Sequence, residues 1–244
     1  MLTSIMKKNI IIIGSTGAIG KSFVDHFSSQ DSSNSIYSLS RKKEGHQDNN
    51  ITFVPIDIED EASIYNSSKV CSEKGPFDTI IVCTGLLHSD NLKPEKSVRD
   101  LNKESLLKVL SVNTIGPTLI GKYFTPLLRK DSPSILSYLS ARVGSISDNK
   151  LGGWYSYRAS KAALNMIIKT LSIEVARNNK NAVIVGLHPG TVDSNLSTPF
   201  QGNVPDGKLF TPQYSVSKMV EVMNTLTPSD SGNCFAWDGE RIEF

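Results

Sequence analysis

The sequence predicts an α/β fold, a doubly wound parallel sheet with helices on both faces. Three observations predict it. Short apolar runs alternate with longer stretches of helical period along almost all of the 244 residues. The first run, residues 9–13, is continuous and rich in isoleucine, as a strand buried on both faces requires. It leads straight into a glycine-rich turn, Gly14 through Gly20, of the kind that joins a strand to a helix. The length suits one domain over residues 1–244 with a sizeable core.

Residues 21–29 read as the first helix. Residues 35–40 and 51–56 are short strands separated by a polar loop, residues 41–50. Residues 59–72 read as a helix whose acidic first turn complements the helix dipole. Residues 77–83 form another apolar strand, and residues 106–129 a long helix interrupted near Gly116 and Pro117. A strand over 134–140 precedes a helix over 157–177, where Ala163, Leu164, Ile167, Ile168, Leu171 and Val175 fall close to helical period. Residues 182–187 read as a strand. Residues 194–211 contain Pro199, Gly202, Pro205 and Gly207 and read as a loop or mobile flap. A helix over 214–226 and a strand over 232–237 complete the alternation. Ligands of such sheets sit at the carboxyl ends of the strands, where Gly14, Cys83, Ser140 and His188 all fall.

Composition works by exclusion. The 26 Lys+Arg and 24 Asp+Glu leave a net charge of +2, so no basic field argues for nucleic acid or an anionic membrane. Cys71, Cys83 and Cys234 lie far apart without a CxxC pair. That argues against a disulfide framework or zinc cluster and suits a reducing cytoplasm. His26, His46, His88 and His188 form no i,i+4 pair, so no metal site is expected. The apolar run over residues 10–13 is too short for a signal-peptide core or a membrane span. A soluble cytoplasmic protein is expected.

The turn Gly14-Ser15-Thr16-Gly17-Ala18-Ile19-Gly20 lets a diphosphate approach both backbone and helix N-terminus. Tyr157 and Lys161 form a YxxxK pair, which on a helix shares one face. An adjacent ammonium favours phenolate and is expected to lower the tyrosine pKa, making a proton donor and acceptor for alcohol–ketone chemistry. Tyr65/Lys69 and Tyr214/Lys218 repeat the spacing but read as solvated helix faces. Only Tyr157/Lys161 follows a strand that ends in serine.

On these motifs the chain resembles the classical short-chain dehydrogenase/reductase family over roughly residues 7–240. The glycine turn fits the family's TGxxx(A/G)xG loop with Ile13 in place of threonine. It also fits the GxxGxxG of longer relatives that act on nucleotide sugars, and the length favours the compact branch. Residues 139–161 are similar to the subgroup that includes the C-factor signalling protein and sniffer-type carbonyl reductases. The resemblance implies a Rossmann-like sheet in order 3-2-1-4-5-6-7. It implies Tyr157 as acid/base, and Lys161 as the residue that binds the nicotinamide ribose and depresses the Tyr157 pKa. Ser140 would hydrogen-bond the substrate carbonyl, with Ser145 the other candidate in register. Asn113 would hold a water for proton relay. The segment Cys83-Thr84-Gly85 stands where the family has NNAG and retains only the glycine, beside the adenine ribose. Asp57-Ile58 resembles an adenine-contacting pair. Pro189, Gly190 and Val192 match the PGxVxT segment near the nicotinamide carboxamide, while His188 reads as a packed strand-end residue.

The second strand ends in Ser40-Arg41-Lys42-Lys43, without the acid that would bond a ribose 2′-hydroxyl. Arg41 can pair with a 2′-phosphate, so NADP(H) is expected ahead of NAD(H). The expected function is carbonyl–alcohol interconversion of a small molecule by hydride transfer. The other reading is a nucleotide-sensing or signalling protein on the same fold. By family analogy, residues 103–129 and 157–177 form dimer faces, and a homodimer or homotetramer is expected. Trp154 and Phe200 could wall an apolar substrate pocket.

Overall fold

The computed structural model describes residues 7–43 and 48–244. The middle of the polar loop expected over 41–50, with His46, lies outside them. In chain order the elements are β1 (Asn9–Ile13), α1 (Ala18–Gln30), β2 (Ser35–Ser40), β3 (Ile51–Pro55), α2 (Glu61–Ser72) and β4 (Thr79–Val82). Then come α3 (Lys103–Leu110), α4 (Gly116–Phe124), β5 (Ser134–Leu139), α5 (Tyr155–Val175) and β6 (Ala182–His188). The last are β7 (Thr191–Val192), β8 (Leu209–Phe210), α6 (Pro212–Thr225), β9 (Cys234–Ala236) and β10 (Arg241–Ile242).

The main sheet runs β3-β2-β1-β4-β5-β6-β9-β10, parallel except for β10, which pairs antiparallel with β9. This is the expected order 3-2-1-4-5-6-7, with β9 as the seventh strand and β10 an eighth beyond it. The period-2 geometry of a strand explains why β1 needs an unbroken apolar run. Ile11 and Ile13 point into one core with Ile64 of α2, Ile120 of α4 and Leu164 of α5. Ile10 and Ile12 point into the other, with Phe23 of α1 and Val216 of α6. All four isoleucines are fully buried. Each contributes roughly 1.5–3 kcal/mol relative to exposure.

Two expectations are corrected. The long helix over 106–129 is four pieces: α3, a π-turn over Ser111–Ile115, α4, and a 3-10 turn over Thr125–Leu127. The break lies just before Gly116. Pro117, which has no N–H to continue the ladder, sits where the π-turn gives way to α4, the Gly116 N–H before it donating to the Ser111 oxygen. Gly116 is small for a packing reason, because a Cβ there would lie 2.6 Å from the Ile58 carbonyl oxygen. The flap expected over 194–211 also has structure, a 3-10 helix over Thr198–Asn203. Its base is clasped by β7 and β8, which pair in parallel as a separate two-stranded sheet.

The glycine turn has a similar steric cause. Gly14 has φ +82°, and the first turn of α1 crosses it so closely that a Cβ on Gly20 would sit 2.2 Å from the Gly14 oxygen. Overpacking of this kind costs roughly 1–3 kcal/mol. Gly20→Ala is therefore expected to lower the thermal unfolding midpoint clearly. Gly202→Ala, where a Cβ meets nothing within 4 Å, should leave it near the parent's.

Candidate active site

The carboxyl edge of the sheet gathers the residues singled out in the sequence. On one side lies the glycine turn. Gly14 and Ser15 donate their N–H groups to the Leu39 oxygen at the end of β2, at 2.8 and 3.2 Å. Ser15 is fully buried, and its hydroxyl also bonds Leu39. Ser15 thus braces the turn from behind, and its side chain does not face the cleft. Thr16, Gly17 and Ala18 are exposed, Ile19 half-buried. Gly17 caps α1 without a side-chain bond, so the first N–H groups of the helix are open to an anion. Across the turn, Thr84 approaches Gly14, and its buried hydroxyl has no partner. A cradle of bare backbone and an unpaired buried hydroxyl suit a dinucleotide diphosphate.

The outer positions are less enclosed. Arg41 is exposed just past β2, as are Lys42 and Lys43, and Ser40 donates to the Lys42 oxygen at 2.6 Å. Asp57 is half-buried and accepts from the Glu59 N–H at 3.0 Å. Ile58 packs its side chain against the core. The Cys83 thiol is pushed up by burial and is a packing group. Pro189 accepts from the Ser215 hydroxyl at 2.7 Å. Gly190 has φ +75°, and a Cβ there would strike the Phe210 ring at 2.6 Å. Val192 lies in β7, beside the flap.

On the other side α5 carries Tyr157 and Lys161, both buried. Lys161 Nζ donates to the Leu139 oxygen at 2.8 Å and lies 5.8 Å from the centre of the Tyr157 ring. Gly85 separates it from Asn113: a Cβ on Gly85 would be 3.9 Å from both Lys161 Nζ and Asn113 Oδ1. The Asn113 side chain is fully engaged. It accepts from the Leu86 N–H at 2.7 Å and donates to the Leu86 oxygen at 2.8 Å and to Ser160 Oγ at 3.0 Å. It rises from the π-turn, a form of helix frequent at functional sites. Ser140, at the end of β5, donates to Asn165 Oδ1 at 2.6 Å. Ser145 instead braces the following loop through Ser147 and the Asp148 N–H. The other two YxxxK pairs lie away from this cluster, with Tyr65 and Tyr214 exposed on α2 and α6.

The charge states correct one expectation. Burial pushes the Tyr157 hydroxyl up to about 12 rather than down. The same burial lowers Lys161 to about 8. The sequence reading weighed the ammonium and omitted the loss of solvent, which opposes charge on both groups. His188 is lowered to about 4, first by burial and then by Arg142, and its Nδ1 has no partner. It is neutral and packed.

Two buried residues escaped sequence reasoning. Asn165 bonds Ser140. Glu95 reaches α5 from the loop after β4, accepting from the Ser156 N–H at 3.1 Å and from the Ser156 hydroxyl. Trp154, the cap residue of α5, adopts φ +51° and offers no side-chain cap. The Glu95 carboxylate fills that role and complements the helix dipole. A carboxylate 61 positions away leaves no local signature of such a cap. Above Tyr157, the rings of Trp154 and Phe200 meet at 5.0 Å, and Leu87, Ala141, Val143 and Leu196 join them in an apolar wall. Among the described residues, no group of three or more His, Cys, Asp and Glu could hold a metal, and no helix is long and apolar enough to cross a membrane.

Comparison with known proteins gives a consistent picture. The model of the family described as short chain dehydrogenase matches residues 8–204. A 1-hydroxy-2-glutathionyl-2-methyl-3-butene dehydrogenase of Rhodococcus sp. (strain AD45) is 29% identical over 80% of this chain and 81% of its own. The C-signal protein of Myxococcus xanthus is 32% identical over 72% of this chain and 96% of its own. The NADPH-bound carbonyl reductase from chicken fatty liver superposes with a TM-score of 0.83 at 24% identity, covering 98% of this chain and 94% of that one.

The buried ammonium makes stability depend on pH. Between about 8 and 10.5 the unfolded chain holds the Lys161 proton and the folded chain does not, so the Lys161 contribution to stability rises with pH. The raised cysteines and tyrosines act oppositely and, apart from Cys234, whose thiol feels the Lys161 charge, are common to parent and Lys161→Met. Urea unfolding at the two ends of that range should show the difference moving in the parent's favour by about 3 kcal/mol.

Proposed function

The chain belongs to the short-chain dehydrogenase family and is an oxidoreductase, and from that premise we propose that it interconverts a small-molecule carbonyl and its alcohol with NADP(H). The observation that carries this reading is the joint burial of Tyr157, Lys161, Asn113 and Ser140 at one edge of the sheet beside an open helix N-terminus. A bound nicotinamide would supply the hydride in reduction and accept it in oxidation.

The chain's own residues divide the remaining work. The N–H groups at the start of α1 hold the diphosphate, and Arg41 pairs with a ribose 2′-phosphate. Lys161, fixed by Leu139, presents its remaining N–H donors to a ribose hydroxyl. Tyr157 donates its proton to the substrate oxygen as the alcohol forms, and Ser140 donates a hydrogen bond to the same oxygen. Asn113 holds the start of the loop after β4 and α5 in register. Trp154 and Phe200 exclude water and favour an apolar substituent on the carbonyl. The exposed Leu107, Ile115, Met166 and Ile173 on the α3–α5 side support a homodimer or homotetramer. Three free cysteines suit a reducing cytoplasm.

Resemblance to C-signal supports a second reading, a nucleotide-binding signalling protein. Tyr157→Phe separates the two. In the enzyme reading, turnover of a carbonyl panel with NADPH collapses while the thermal shift caused by NADPH persists. Unchanged biological activity in that variant supports the sensor. NADPH should give a larger thermal shift than NADH at equal concentration, and Arg41→Ala should remove most of that advantage. Because burial holds Tyr157 protonated, carbonyl reduction should vary little with pH near neutrality. Alcohol oxidation, which needs the phenolate, should accelerate as pH rises. Paired pH–rate profiles check both signs.

A further inference from the structure

The reading of Ser140 as donor to the substrate oxygen raises a question of direction, and the inference here rests on that reading. Tyr157, Lys161 and Asn165 follow at intervals of four along α5 and share one face of the helix. Asn165 is 2% exposed and Ser140 3%. Ser140 gives its hydroxyl hydrogen to Asn165 Oδ1 at 2.6 Å, while Asn165 Nδ2 is buried without a partner. A hydroxyl has one hydrogen. Spent on Asn165, it leaves only lone pairs to face a developing alkoxide.

A half-turn of the amide reverses these roles. Nδ2 then donates to Ser140 Oγ and gains the partner it lacks, and the serine hydrogen is released toward the cleft. The amide oxygen takes the unpaired position, which a carbonyl tolerates better than an N–H. The Cys234 thiol also lies beside Ser140, but a protonated thiol is a weak donor and a weak acceptor and competes poorly. We propose that Asn165 is a positioning residue that donates to Ser140 Oγ in the reacting state and so aims the Ser140 hydrogen at the substrate oxygen. The sequence shows no reason for an asparagine there, since a fully buried helix position opposite a strand end would otherwise take an aliphatic side chain.

A double-mutant cycle tests this, using NADPH and para-nitrobenzaldehyde with the full chain. Ser140→Ala should lower kcat on the order of 100-fold. Asn165→Leu should lower kcat roughly 10-fold or more with the KM for NADPH unchanged. In the double variant the Asn165 change should add nothing, because its effect passes through the missing hydroxyl. Losses that multiply, or full kcat in Asn165→Leu, overturn the proposal. Full kcat in Ser140→Ala overturns the underlying reading of Ser140 instead, so the two failures are distinguishable. If Asn165→Leu does not fold, Asn165→Asp enters the same cycle at mildly alkaline pH. A carboxylate there only accepts, keeps the serine hydrogen and should give the same loss.

Discussion

An ammonium held inside the protein at the carboxyl end of β5 sets the terms for its surroundings. Lys161 is almost fully buried and donates to a single backbone oxygen, that of Leu139. Burying such a charge is costly, and the group responds by binding its proton less tightly. The contact also dictates geometry. The helix α5 must pass close enough to β5 for the side chain to reach, and the chain leaving β5 must pass under it. Gly144 lies there because a Cβ would come within 2.8 Å of the Lys161 Cβ. Tyr157, one turn earlier, is carried into place by the same helix.

The first half of α5 is then fastened at two further points by residues remote in sequence. Glu95 holds Ser156, and Asn113 bonds Ser160 Oγ while Thr114 donates to the Ser160 oxygen at 2.8 Å. The π-turn matters for this reason. It places Asn113 and Thr114 against α5 without ending the run from α3 to α4. These bonds hold the half of α5 that carries Tyr157 and Lys161 at a fixed distance from β5 and the loop after β4.

The long features of the fold were legible because burial on two faces leaves an unmistakable mark. An isoleucine run such as that of β1 permits few alternatives, and Gly14 and Gly20 announced the close crossing of strand and helix. The two-residue strands β7, β8 and β10 left no mark, because two residues cannot display a period. Tyr157, Lys161, Ser140 and Asn113 were legible through a family pattern. Glu95 and Asn165 were not, since their partners stand far away in sequence and only folding supplies them. The Tyr157 pKa was misread for the same reason: the neighbour at i+4 is visible in sequence, but the depth of burial is not.

The pairing of β7 with β8 has a consequence for how this fold can diversify. Thr191 faces Leu209 and Val192 faces Phe210, so the chain enters and leaves the flap through adjacent positions. The entropy of closing that loop is settled at its base, and it changes only slowly with the number of residues between. The span that carries Leu196 and Phe200 over Tyr157 can therefore lengthen, shorten or exchange side chains while the sheet edge below keeps its shape. Variation in the flap is thereby separated from the platform that carries Tyr157 and Lys161.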